Sequence, residues 1–112
     1  MSTIFGKIIK RDVPADIVYE DEHCLAFRDI HPQAPTHVLV VPKKEIPRLV
    51  DATPEDQALL GHLLLAVNRI ARELGVEDAF RVMISNGEDA GQTVFHLHLH
   101  LLAGRRFRER SD

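Results

Sequence analysis

Periodicity along the chain predicts an α+β domain: a five-stranded antiparallel sheet with one long and one short helix. Two patterns carry the prediction. Residues 54–74 repeat apolar side chains at helical spacing, and five β-rich runs are separated by turn signals that suit hairpins better than crossovers.

The short helix comes first. Thr3 can cap it, and Ile4, Phe5 and Ile8 share a face before Pro14 ends the unit. Ile17-Val18-Tyr19-Glu20 and Cys24-Leu25-Ala26-Phe27 read as a hairpin turning at Asp21-Glu22. Pro32 and Pro35 make residues 29–36 an irregular loop. His37-Val38-Leu39-Val40-Val41 is almost continuously apolar, as a central strand is, and Pro42 closes it. Residues 46–50 suit one helical turn.

The long helix is predicted over residues 54–74. Thr53 serves as N-cap, Pro54 occupies the first turn, and Glu55 and Asp56 sit at the positive end of the dipole. Leu59, Leu63, Val67, Ile70 and Leu74 form its buried stripe, and Gly75 its C-cap. Residues 80–84 and 94–102 read as the last two strands, joined by a glycine-containing loop at 85–93.

Composition narrows the function. The chain has 112 residues, enough for one domain with its own core. Seventeen acidic and 14 basic residues give a net charge of −3, which argues against a broad grip on nucleic acid. No apolar stretch suits a membrane span, and the first residues lack the pattern of a secretory signal. A lone cysteine, Cys24, rules out an internal disulfide and suits a reducing, cytoplasmic setting.

Histidine is the outlier, with seven copies and three inside five residues. In Phe95-His96-Leu97-His98-Leu99-His100-Leu101-Leu102 the period of two predicts a strand. Leu97, Leu99 and Leu101 then enter the core, and His96, His98 and His100 share the opposite face. A helix would scatter the three rings over about 200°. Three chemistries fit: a solvated polar face, a zinc site, or nucleophilic catalysis. One zinc with bonds of ~2 Å hardly reaches His96 and His100 together, since they lie ~13 Å apart along a strand. A neutral imidazole attacks phosphorus well, and the middle ring, His98, has a partner on either side. His37, opening the neighbouring apolar strand, is a candidate for the surroundings of that nucleophile.

The loop feeding this strand suits an anion. Gly87 and Gly91 allow sharp turns and close approach, and successive backbone N–H groups can receive phosphate oxygens. Asn86, Gln92 and Thr93 add neutral polar groups. Asp29 can accept both hydroxyls of a ribose. Ile4, Phe5, Ile8, Phe27, Ile30 and Leu39 are candidate walls for a flat base, or plain core. His23, His31 and His62 read as surface or loop residues.

The segment from His96 to Leu102 resembles the His-φ-His-φ-His-φ-φ signature of the histidine-triad (HIT) superfamily. Thr3-Ile4-Phe5-Gly6-Lys7-Ile8-Ile9, Pro35-Thr36-His37-Val38-Leu39-Val40-Val41-Pro42-Lys43 and Asn86…Gly91-Gln92-Thr93 resemble its nucleotide-binding (Hint) branch. The resemblance implies a HIT domain over residues 1–104 followed by an Arg-rich tail at 105–112. It implies a homodimer in which two such sheets join. It further implies hydrolysis of purine nucleoside phosphoramidates through a nucleotidyl-histidine intermediate, with no metal or other cofactor. His98 would be the nucleophile. His100 and His96 would bind phosphate oxygens, and His37 would stand behind the nucleophile. Asn86 and Thr93 would contact the phosphate or leaving group, with Gly91 and Gln92 in the phosphate loop. Asp29 would hold the ribose, and the apolar residues named above the base. The alternatives are a nucleotide-binding scaffold with incidental hydrolysis and a dinucleoside polyphosphate hydrolase. The chain departs from the branch in two places. Thr93 stands where Ser is usual, and Arg105-Arg106-Phe107-Arg108-Glu109-Arg110-Ser111-Asp112 replaces a Trp-Pro-Pro-Gly ending. The arginines of that tail suit an acidic partner; otherwise it is a solvated terminus.

Overall fold

A computed structural model describes residues 3–109; Met1 and Ser2 of the N-terminal reading and Arg110, Ser111 and Asp112 of the tail lie outside them. The elements are α1 (Ile4–Ile9), β1 (Ile17–Glu20), β2 (Cys24–Arg28), β3 (Thr36–Pro42), α2 (Gln57–Glu73), β4 (Phe80–Met83) and β5 (Leu99–Ala103). The five strands form one sheet in the order β1-β2-β3-β5-β4, every neighbouring pair antiparallel. This is the expected α+β class, with β3 in the centre and buried from His37 onward.

Alternation divides the sheet into two faces. On one, Val38, Val40, Leu99 and Leu101, joined by Leu97, pack on Leu63, Val67 and Ile70 of α2. On the other, Phe5 and Ile8 of α1 cover Leu25, Phe27, Leu39 and Val41. His37 and His100 share this second face, because Leu39 pairs with His100 and His37 with Leu102.

Local chemistry sets the ends. Thr3 Oγ1 accepts the Gly6 N–H at 3.2 Å and caps α1. Gly75, at φ +72°, closes α2 in a Schellman turn: its N–H reaches Arg72 O, and the Val76 N–H reaches Ala71 O. The start of α2 departs from expectation. Residues Pro54–Asp56 form a 3₁₀ turn, and the α-helix begins at Gln57. Asp56 causes this by folding back, its carboxylate accepting the Thr53 N–H at 2.9 Å. The turn expected at 46–50 lies at Leu49–Asp51, and β4 ends at Met83, one residue early.

The larger correction concerns the histidine segment, expected as strand from residue 94. Pairing with β3 begins only at Leu99, opposite Val40. Pro42 has no N–H to extend the ladder. Instead the Leu97 N–H donates to Ile46 O at 2.7 Å, and the His96 ring donates to Pro42 O at 2.8 Å. The leucines still reach the core although the ladder is gone.

The tail is also ordered where described. Arg105 Nε donates to Gln33 O at 3.1 Å, and an Arg81 N–H donates to the Arg108 carbonyl. Residues 105–108 are therefore tied back to the body of the domain, with Phe107 half-buried and the arginines exposed.

Candidate active site

The site forms where β5 begins, on the α1 face. His98 meets the Phe5 ring edge-on at 5.0 Å and lies 4.9 Å from the His100 ring. The His100 ring is in turn 5.3 Å from that of His37. His37, His96 and His98 are 3%, 1% and 7% exposed, so the rings are buried in place of the solvated face that simple alternation allows.

Hydrogen-bond partners assign the protons. His98 Nδ1 lies 2.7 Å from the His96 carbonyl, which accepts only, so Nδ1 carries the hydrogen. Its Nε2 then holds a lone pair. Among the described residues, the buried side-chain N or O left without a partner is His96 Nδ1, so His98 Nε2 is open to the cavity. The Gln33 N–H donates to His37 Nδ1 at 3.1 Å, which places the His37 hydrogen on Nε2. That N–H faces His100 Nδ1 at 3.0 Å and Asp29 Oδ2 at 3.5 Å. His100 consequently presents an N–H at Nε2. The site thus holds one ring nitrogen with a free lone pair beside a second ring that donates.

A cavity of about 360 Å³ opens in front of these rings. Ile4, Phe5, Ile8, Phe27, Ile30 and Leu39 line it, as do Asp29, Thr93, His98 and His100. The apolar residues named from sequence are thus brought together with the carboxylate and two of the histidines. Val13, Pro14, Ala15 and Val94 complete the walls with Arg28 and with His31, which was expected only as a surface or loop residue. Nothing but their apolar character in a short connection marks the first three in sequence. Asp29 Oδ1 accepts the His31 N–H at 2.8 Å, which fixes the carboxylate at the rim.

Other candidates sit elsewhere. The His96 ring does not line the cavity; it is turned toward Pro42, against a small hollow of about 70 Å³ bounded by Gly6, Lys43 and Glu45. Its expected role on phosphate oxygens is therefore not available to the ring, whereas its carbonyl orients His98. Gln92 is 2% exposed and spends its amide inside the loop. It accepts the Gly87 N–H at 2.8 Å and donates to Pro47 O and Val94 O at 2.8 and 3.0 Å. Asn86 Oδ1 accepts the Val50 N–H at 2.8 Å. Both shape the loop instead of facing the cavity. Gly87 and Gly91, at φ +91° and +96°, bracket its 3₁₀ turn in conformations that favour glycine.

Electrostatics keep the rings neutral. Burial pushes His98 below its usual 6.5, opposed in part by the His96 carbonyl. Burial, then the neighbouring His98 and His37, bring His100 down to about 4. His37 is lowered by burial against the pull of Asp29.

Asp29, His37 and His100 place ligand atoms within 4.8 Å of one another and could hold a metal, as could Asp21, Cys24 and His62. The three rings of the sequence motif do not converge on one point. In the second cluster Asp21 is already saturated. Its carboxylate accepts from Tyr19, His62 and the His23 and Cys24 backbones. Burial pushes the Cys24 thiol up to about 12, which disfavours a thiolate ligand. His62, expected on the surface, thus ties α2 to the β1–β2 turn.

A sheet of this order, with a buried imidazole aimed into an apolar cavity and a carboxylate at its rim, defines a class of histidine-centred small-molecule sites. The HIT domain family model matches residues 10–107, and the chain belongs to that family. It is 64% identical over 105 residues to a HIT-like protein of Synechocystis sp., covering 94% of this chain and 92% of that one. The crystal structure of a HIT family hydrolase from Legionella pneumophila superposes with a TM-score of 0.94 at 40% identity, covering 96% of this chain and 97% of the other. A histidine triad nucleotide-binding protein from Candida albicans superposes at 0.81 with 31% identity, covering 99% and 87%. No helix among the described residues is long and apolar enough to cross a membrane.

Proposed function

We propose that this chain hydrolyses purine nucleoside phosphoramidates, releasing a nucleoside monophosphate and an amine. The single observation that carries the reading is His98. Its Nδ1–H is held by the His96 carbonyl, and its Nε2 opens at the end of a cavity with apolar walls and Asp29 at the rim. A purine fits between the apolar walls, its ribose hydroxyls donate to Asp29, and the phosphorus comes to His98. The hydrolase and nucleotide-binding relatives support the same class of chemistry.

In the first step His98 Nε2 attacks phosphorus, and the P–N bond breaks. The amine leaves with a proton from solvent. The ring, bonded at Nε2 and protonated at Nδ1, carries positive charge that the His96 carbonyl stabilises. His100 Nε2–H donates to a non-bridging oxygen where negative charge accumulates. His37, anchored by the Gln33 N–H, holds His100 in the donating tautomer. In the second step water attacks phosphorus, the N–P bond breaks, a proton returns to solvent, and neutral His98 is restored. No step uses a metal. Thr93, at the cavity wall, is placed to contact phosphate or the departing amine.

We further infer a homodimer joined through β4, an edge of the sheet with no strand beyond it among the described residues. Assignment to the cytoplasm rests on the lone, buried Cys24.

Side-by-side steady-state kinetics test the activity. Adenosine 5′-phosphoramidate is expected to give a higher kcat/KM than a diadenosine polyphosphate. The reverse order makes the chain a dinucleoside polyphosphate hydrolase, and tight nucleotide binding with neither turned over makes it a binding protein. The pH profile follows from the depressed His98 pKa. Protonating Nε2 removes the lone pair, so activity is lost as pH falls through the pKa of the folded state. On adenosine phosphoramidate, kcat/KM is expected to stay level from neutral pH to below 6.5 and then fall. A half-point at or above 6.5 would contradict the buried, neutral ring.

A further inference from the structure

We propose that Arg81, Arg105 and Phe107 form a leaving-group subsite that selects amines bearing a negative charge. The inference rests on the phosphoramidase reading and names which amines are favoured.

Position comes from the register. Met83 of β4 pairs with His100, and Arg81 pairs with Leu102, which pairs with His37 across the sheet. Paired residues project to the same face, and adjacent strands are ~4.8 Å apart. Arg81 and Met83 therefore stand beside His100 on its side away from the base cavity. They line a second cavity of about 280 Å³ together with Leu102, Arg105, Phe107 and Ser85 of the phosphate loop. His100 lines the first cavity and its strand partner Met83 lines the second, which would place a phosphorus held at His98 and His100 between the two. With the nucleoside filling the first, the second is open to the group on the other side of the P–N bond.

Charge follows from the tail. The Arg105 and Arg81 guanidinium carbons lie 4.2 and 4.9 Å from the Phe107 ring centre. Two cations thus share one ring, an arrangement with like charges close together. Their protein acceptors are neutral carbonyls: Gln33 O and Arg106 O for Arg105, Arg108 O for Arg81. Such bonds fix direction without cancelling charge. Neither arginine joins an ion pair among the described residues, although six pairs of lysine or arginine with a carboxylate form there. Planar guanidinium groups with hydrogens to spare match a carboxylate or a phosphate.

Four adenosine 5′-phosphoramidates of matched chain length supply the test: those of β-alanine, 3-aminopropylphosphonate, propylamine and 1,3-diaminopropane. The anionic members are expected to exceed propylamine in kcat/KM by about tenfold, with the cationic member lowest. The faster of the two anionic members identifies carboxylate or phosphate as the favoured charge. The advantage is expected to shrink as salt rises toward 1 M. In the double variant Arg81→Gln/Arg105→Gln the anionic-to-neutral ratio is expected to fall to about one. Because the ratio is read within one protein, a partly unfolded fraction does not change it. Equal rates across the series, or a preference that survives the double substitution, would overturn the subsite while leaving the hydrolase reading intact. No turnover of any amide would overturn that reading, and the subsite with it.

Discussion

His98→Ala is expected to lower turnover of adenosine phosphoramidate by on the order of 10⁴-fold or more, with adenosine monophosphate affinity changed only a few-fold. The separation follows from geometry. On the proposed reading the base and ribose are held by Ile4, Phe27, Leu39 and Asp29, which line the cavity apart from the imidazole. What is lost is the atom that attacks, and neither other ring of the three-histidine motif can replace it. His96 faces Pro42, and the remaining His100 presents a hydrogen rather than a lone pair. Single-turnover rates with calorimetric binding check both halves. A variant within tenfold of the parent would exclude His98 as nucleophile.

His100→Ala is expected to cost about 10²- to 10³-fold in kcat, the scale set by removing one preorganised donor from developing negative charge. Nucleotide binding in the ground state is expected to weaken far less, because the donor matters most when the phosphoryl oxygens gain charge. The ring is oriented by the chain Gln33 N–H to His37 to His100, so its direction is built in before substrate arrives. His37→Ala removes the orienting ring and leaves the donor, so a smaller loss of kcat is expected from it. Equal losses of kcat and affinity in His100→Ala would show a ring that only binds.

Sequence periodicity exposes the sheet, the two helices and the apolar walls of the cavity because each is repetitive or follows from strong local chemistry. β3 is apolar throughout since it is central, and α2 shows its stripe since one face meets the sheet. The three-histidine alternation correctly separates leucines from rings. It does not reveal that the ladder stops at Val40–Leu99, because that depends on Pro42 and on a bond to Ile46, a residue more than fifty positions away. The same bonds turn the His96 ring from the cavity and leave its carbonyl to orient His98. Gln92 and Asn86 look like ligand-facing polar groups in a glycine loop, yet their carbonyl oxygens are used to build it. The backbone N–H of Gln33 leaves no trace in the sequence, since any residue but proline supplies one. The basic tail is visible as composition. Its place over β4 depends on Phe107 lying between arginines 24 positions apart.

The stereochemical course at phosphorus tests the central assignment most directly. Hydrolysis of a single diastereomer of an adenosine phosphoramidothioate in ¹⁸O-water makes that course readable. Attack by His98 followed by attack by water is two in-line displacements, and the expected product retains configuration. Inversion would mean that water attacks phosphorus directly and that His98 forms no bond to it.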